Sequence, residues 1–205
     1  MDQALVHVID DDASMRGAVA ALLRSVGIGS ATYESCAQFL QAALPDTPAC
    51  LLLDVRLPGT SGLDFQAQLA SRGIDLPVIM ISGHGDIPMS VQAMKAGAVD
   101  FLTKPFRDQD LLDAVGIAVE RDVRQREMRR RIADLASRYE SLSARERQVM
   151  ALVTDGRLNK QAAFELGLSE ITVKLYRASA MKKMGARTLA DLVKMAEKLG
   201  IGVAA

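Results

Sequence analysis

Short, mainly apolar runs recur through the first 118 residues of this 205-residue chain: Leu5–Ile9, Ser30–Tyr33, Cys50–Leu53, Pro77–Ile81 and Val99–Leu102. The central runs are apolar throughout and do not alternate with polar residues. A strand of that kind has no face to offer to water, so it belongs inside a parallel sheet covered on both sides. Between the runs, Ser14–Val26, Cys36–Ala42, Leu63–Ser71, Pro88–Ala96 and Asp108–Val119 carry helical periodicity, with stops at Gly27, Gly73 and Gly97. Five strand–helix units in succession predict a doubly wound α/β sheet of five parallel strands. Ligands of such sheets sit beyond the carboxyl ends of the strands. The residues that follow each apolar run are therefore the informative ones.

Asp10, Asp11 and Asp12 follow the first run, Asp54 the third, Ser82 the fourth, and Lys104 with Pro105 the fifth. Carboxylates gathered at one edge repel each other unless a cation joins them. A hard divalent ion is expected, and Mg²⁺ suits oxygen donors from one or two carboxylates. A carboxylate held against such an ion, with a hydroxyl and an ammonium nearby, is equipped to accept a phosphoryl group. Asp54 is the candidate nucleophile, and Lys104 would neutralise charge on the transferring oxygens. Taken singly, each residue has an ordinary explanation: an Asp triplet as a solvated turn, a Ser as a cap, a Lys as an ion-pair partner. Their joint placement, each just after an apolar run, points to chemistry. His7, mid-strand among apolar residues, reads as a structural histidine. His84 lies in the Gly83–Gly85 loop beside this edge and is assigned no chemical role.

Charge is distributed unevenly although it sums to zero. Residues 1–118 hold 7 basic and 14 acidic side chains, residues 119–141 hold 7 and 5, and residues 142–205 hold 11 and 6. Only the last part is suited to a polyanion. Residues 119–141 lack Gly and Pro, and Met128, Ile132, Leu135, Tyr139 and Leu142 form a heptad-like stripe. The stripe fits either a linker helix that pairs with its twin or a single helix packed on its own domains. Beyond it, four short helical segments open with Ser, Asn or Thr, and Ser143 with Glu146 has capping-box spacing. Cys36 and Cys50 have no metal-like spacing and read as buried free thiols. No signal peptide and no membrane-length apolar stretch is legible, so a cytoplasmic protein is expected.

The segments VIDDD, LLLDVRLPGTSG, VIMISGHGD and AVDFLTKPF resemble the receiver domain of two-component response regulators, whose fold is flavodoxin-like. Residues 142–205 resemble the LuxR/FixJ-type four-helix DNA-binding domain through LSARERQVMALV, NKQAAFELGLSEITVK and MKKMGARTLADLV. Together they look like the FixJ/NarL family, and most like its FixJ subgroup. The resemblance implies a receiver over 1–118, a helical linker over 119–141 and a small all-α helix-turn-helix domain over 142–205. It further implies Asp54 as phosphoacceptor, and Mg²⁺ held by Asp11, Asp54 and the backbone carbonyl of Arg56, with Asp10 completing the pocket. Ser82 would donate its hydroxyl to the phosphate and Lys104 would contact it. Phe101 would be the inward-turning aromatic switch, and the Lys104–Pro105 bond would be cis. A sensor histidine kinase is the implied donor. Val91, Lys95 and Phe101 lie on the implied dimerisation face.

Glu170–Met184 is the implied recognition helix, with Val173, Tyr176, Ala180, Met181 and Met184 facing its core. Tyr176 departs from the family, which usually carries His there. Thr172, Lys174, Leu175 and Ala178 are placed for the major groove. Lys160, Arg177, Lys182 and Lys183 are placed for phosphates. Phosphorylation is thus expected to promote dimerisation and binding to paired half-sites in double-stranded DNA, with RNA polymerase as a further partner. Two other classes fit less of the sequence: a Mg²⁺-dependent phosphohydrolase using Asp54, and a regulator whose basic domain binds protein or RNA. Beyond self-phosphorylation and its reversal, no enzyme activity is expected.

Overall fold

The computed structural model describes residues 4–83 and 87–201. Two compact units divide between Arg126 and Glu127. In the first, β1 (Leu5–Ile9), β2 (Gly29–Tyr33), β3 (Ala49–Asp54), β6 (Val78–Ser82) and β7 (Asp100–Thr103) form a parallel sheet in the order β2-β1-β3-β6-β7. Each strand lies within a residue or two of its expected run. Helices α1 (Ala13–Ser25), α2 (Cys36–Leu40), α3 (Gly62–Leu69) and α4 (Ile87–Lys95) alternate with the strands. The order reverses at β1 and β3, so the crevice beyond their carboxyl ends is the switch point of the sheet.

Every residue of β3 is buried, as its unbroken apolar text requires. Alternation sends Cys50 and Leu52 to one face, with Val6, Val8, Leu111 and Val115, and Leu51 and Leu53 to the other, with Phe39, Phe65 and Met80. Each fully buried Leu of this kind contributes roughly 1.5–3 kcal/mol. Both cysteines are free and buried, one in each layer, and burial pushes the Cys36 thiol up to about 11 and the Cys50 thiol up to about 12. His7 Nδ1 lies 3.0 Å from the Tyr33 hydroxyl and its ring meets Phe39 edge-on. Burial lowers its pKa, which supports the structural reading, although Nε2 lacks a hydrogen-bond partner. His84 lies outside the described residues.

Two features were not legible in advance. A small hairpin, β4 (Arg56–Leu57) with β5 (Thr60–Ser61), follows Asp54 directly and turns on Pro58–Gly59 with φ +79° at the glycine. Helix α5 spans Asp108–Glu140, and its buried residues run through Val119 to Asp122. The first unit therefore extends past the expected boundary at residue 118. The reason is a buried ion pair: Asp122 Oδ2 accepts from the Ala49 backbone N–H at 2.8 Å and from Arg126 Nε at 2.5 Å. Arg126 also reaches Asp46 at 2.5 Å.

In the second unit, α6 (Ala144–Thr154), α7 (Asn159–Leu166), α8 (Glu170–Met184) and α9 (Leu189–Lys198) surround Val149, Met150, Ala162, Val173, Ala180, Met184 and Leu192. The Ser143–Glu146 capping box is formed. Asn159, by contrast, is not a cap: α7 starts after Leu158, whose N–H donates to Gln161 Oε1 at 2.8 Å. The heptad stripe is split. Leu135, Tyr139 and Leu142 join this core, while Met128 and Ile132 are exposed. That outcome favours the packed-helix alternative for the stripe's second half.

Candidate functional site

The acidic pocket forms where the sheet reverses. Asp10 follows β1 and is fully buried, Asp54 ends β3 and is nearly so, and Asp11 is exposed. Lys104, just past β7, bridges the two buried carboxylates: its Nζ lies 2.7 Å from Asp10 Oδ2 and 2.5 Å from Asp54 Oδ2. Its backbone N–H donates to the Ser82 carbonyl at 2.8 Å, which fixes the end of β7 to that of β6, and the Lys104–Pro105 bond is cis. Burial raises the pKa of Asp10, partly offset by Lys104. Burial also works against the Lys104 ammonium, but its two carboxylate partners outweigh it and hold the pKa above the ordinary value.

Backbone groups orient the same carboxylates. The Asp12 N–H donates to Asp10 Oδ1, and the Arg56 N–H to Asp54 Oδ1, each at 2.9 Å. Asp12, third of the triplet, caps α1 by accepting from the Ser14 and Met15 N–H groups. Two residues missed by the sequence reading complete the frame. Arg16 donates to the Asp10 carbonyl at 2.6 Å. At Gly62 a Cβ would stand 2.2 Å from the Asp54 carbonyl oxygen, so only glycine fits where the hairpin returns. The LPGTSG text held the only signal for it.

Ser82 is buried, one residue beyond the Ile81 that pairs with Asp54, and its hydroxyl lies 3.9 Å from Met89 Sδ of α4. Phe101 is half-buried on β7, against the layer that includes Met80 and Ala93. Val91 and Lys95 of α4 are exposed. Asp10, Asp11 and Asp54 each offer one carboxylate oxygen, all within 4.8 Å of one another. Hard oxygen donors opening to solvent at Asp11 fit Mg²⁺.

On α8, Val173, Ala180 and Met184 are buried and Tyr176 and Met181 partly so, as the periodicity predicts. Leu175, Ala178, Lys174 and Lys182 are exposed, as is Lys160 on α7. Two residues placed for phosphates have intramolecular partners. Lys183 Nζ lies 2.7 Å from Glu146 Oε2, and Arg177 donates to Asn159 Oδ1 at 3.2 Å. Glu146 also accepts from the Ser179 hydroxyl at 2.6 Å and from the Ser143 N–H at 2.6 Å. The Lys183 hydrogen bond, with those of Ser179 and Ser143, holds its carboxyl down at about 2. From sequence Glu146 has only a capping role, because nothing local announces a partner 37 residues away.

A parallel sheet in this order, with two buried aspartates and a lysine joined at its reversal, defines a receiver domain, and the four-helix unit after it a helix-turn-helix. Residues 6–116 match the response regulator receiver domain, and residues 140–196 match the bacterial regulatory proteins of the luxR family. Nodulation protein W of Bradyrhizobium diazoefficiens is 58% identical, over 97% of this chain and 88% of its own. The solved structure of the response regulator StyR is 44% identical with a TM-score of 0.81, covering 95% of this chain and 98% of that one. Full-length FixJ from B. japonicum is 39% identical with a TM-score of 0.57, over 96% and 97%. The chain belongs to the two-component response regulators of the FixJ/NarL type, which join a receiver to a LuxR-type DNA-binding domain.

Proposed function

We propose that Asp54 is the phosphoacceptor and that its phosphorylation by a sensor histidine kinase controls DNA binding by the second unit. The observation that carries this reading is the Lys104 ammonium seated between Asp10 and Asp54. An Asp54 oxygen attacks phosphorus as the bond to the donor's imidazole nitrogen breaks, leaving an acyl phosphate on Asp54 and the imidazole free. Lys104, already aimed at Asp54, then faces the phosphoryl oxygens, and Ser82 supplies a hydroxyl from the adjoining strand end. Mg²⁺ would be held by Asp11, Asp54 and the Arg56 carbonyl, where it neutralises phosphoryl charge. The same chemistry would allow self-phosphorylation from small donors, and attack of water on the acyl phosphate would release inorganic phosphate and restore Asp54. Among the described residues no helix is long and apolar enough to cross a membrane.

Downstream, Ser82 and Phe101 respond to the new charge, and the face bearing Val91, Lys95 and Phe101 pairs two copies. Two recognition helices then meet paired half-sites, and RNA polymerase is a further partner. The test is to expose the full chain to acetyl phosphate with Mg²⁺ and follow hydroxylamine-sensitive phosphate, oligomeric state and DNA affinity. Wild type should gain all three and Asp54→Asn none. Identical behaviour of the two proteins overturns phosphorylation control.

A further inference from the structure

Helix α8 exposes two large apolar side chains that the fold does not use. Ile171 is 72% and Leu175 67% exposed. One such residue on a surface is ordinary. Here they are aligned. Ile171, Leu175, Ala178 and Lys182 follow i, i+4, i+7 and i+11 spacing, which makes a single stripe on a helix. That stripe lies opposite Val173, Ala180 and Met184, the residues that dock α8 on its own core. The centre of the outward face is therefore apolar for two turns and cationic only at its end.

Three groups able to read base edges by hydrogen bonding stand beside this stripe and have intramolecular partners. The Thr172 hydroxyl lies 2.8 Å from Ser169 Oγ, Arg177 is on Asn159, and Lys183 is on Glu146. Lys174 pairs with Glu170 at 3.0 Å, an exposed contact weak enough to exchange for a phosphate. Lys160, Lys174 and Lys182 supply the charge that would bring a polyanion to this surface, in a region rich in basic residues. In the major groove the one apolar feature of a base edge is the C5-methyl group of thymine.

We propose that Ile171 and Leu175, with Ala178, form a thymine-methyl reader, so that the half-site is specified mainly by apolar contact with adjacent thymines. This rests on α8 being the recognition helix. Ile171 to Ala178 covers about 10 Å of helix axis at 1.5 Å per residue. That length matches about three base-pair steps of roughly 3.4 Å, so the thymines should lie within one such stretch.

The test uses the phosphorylated full-length chain and a duplex selected by it from a random pool. Thymines are replaced singly by deoxyuridine, which removes one methyl and leaves every hydrogen-bonding group in place. In the wild type, at least two neighbouring replacements should each weaken binding about three- to fivefold. In Ile171→Ala and in Leu175→Ala, each of which truncates an exposed side chain, one of those penalties should disappear. Deoxyuridine without effect at every position overturns the proposal, and would be the result if a protein partner covered the stripe. Penalties that persist unchanged in both variants overturn it too. Failure to select any duplex defeats the recognition-helix reading itself, a different outcome from selecting one that is blind to the methyl.

Discussion

The acidic pocket and the outward face of α8 solve opposite problems. In the pocket, two carboxylates are buried before any substrate arrives and each is held by a named partner, Lys104 between Asp10 and Asp54, with the Asp12 and Arg56 amides behind. On α8 the charges that are held lie to the sides, and the exposed centre is apolar. A phosphoryl site must be organised in advance, because transfer depends on electrostatics already in position. A face that reads DNA, as proposed for α8, instead keeps its interactions for the partner, and its energy appears only on binding.

The largest effect that would break this contrast is at Asp54. Asp54→Asn should abolish phosphoryl uptake, measured as hydroxylamine-sensitive phosphate, while the same chain keeps the basal DNA affinity of the unphosphorylated wild type. Asp122→Ala comes next. It strands the buried Ala49 N–H and leaves the Arg126 guanidinium with Asp46 alone, so chemical denaturation should show a loss of about 2 kcal/mol in the receiver transition. Gly62→Ala should cost about 1–3 kcal/mol as the hairpin moves off the Asp54 carbonyl, and should slow phosphorylation from acetyl phosphate more than tenfold.

Glu146 sharpens the comparison from the other unit. Its folded pKa of about 2 lies below the ordinary 4.5, so its contribution is complete above about 4.5 and is lost as pH falls towards 2. Glu146→Gln should cost about 2 kcal/mol at neutral pH and flatten that acid dependence. Amide exchange in α6 and α8 would read both, with phosphorylation of Asp54 unchanged. The smallest effect separates two neighbouring lysines. Lys182→Ala should reduce the salt dependence of DNA binding by about one phosphate's share of the slope. Lys183→Ala should leave the slope alone, since Lys183 serves Glu146.

Legibility followed the range of the interaction. The strands were readable because a strand covered on both faces has no polar alternation to disguise it, and β3 is buried from end to end. The pocket was readable because Asp10, Asp54, Ser82 and Lys104 each end or follow a strand, so a correct sheet delivers them to one edge. Asp122 was not readable: a carboxylate in a charged helical stretch looks solvated until Ala49, 73 residues away, donates to it. The intramolecular partners of Lys183 and Arg177 were hidden for the same reason. Both are basic residues on a basic helix, and only the packing of α6 and α7 against α8 reveals their anionic or amide partners. The stripe of Met128 to Leu142 showed the helix but not the surface that takes it.

The two thiols give this molecule built-in reporters. Cys36 and Cys50 lie on opposite sides of the same sheet, and the second unit has no cysteine. With both sulfurs held protonated by burial, alkylation must wait for the layer around each one to open. The labelling rates of the two sites therefore record which side of the receiver breathes first, and phosphorylation that loosens one side alone would change one rate and spare the other.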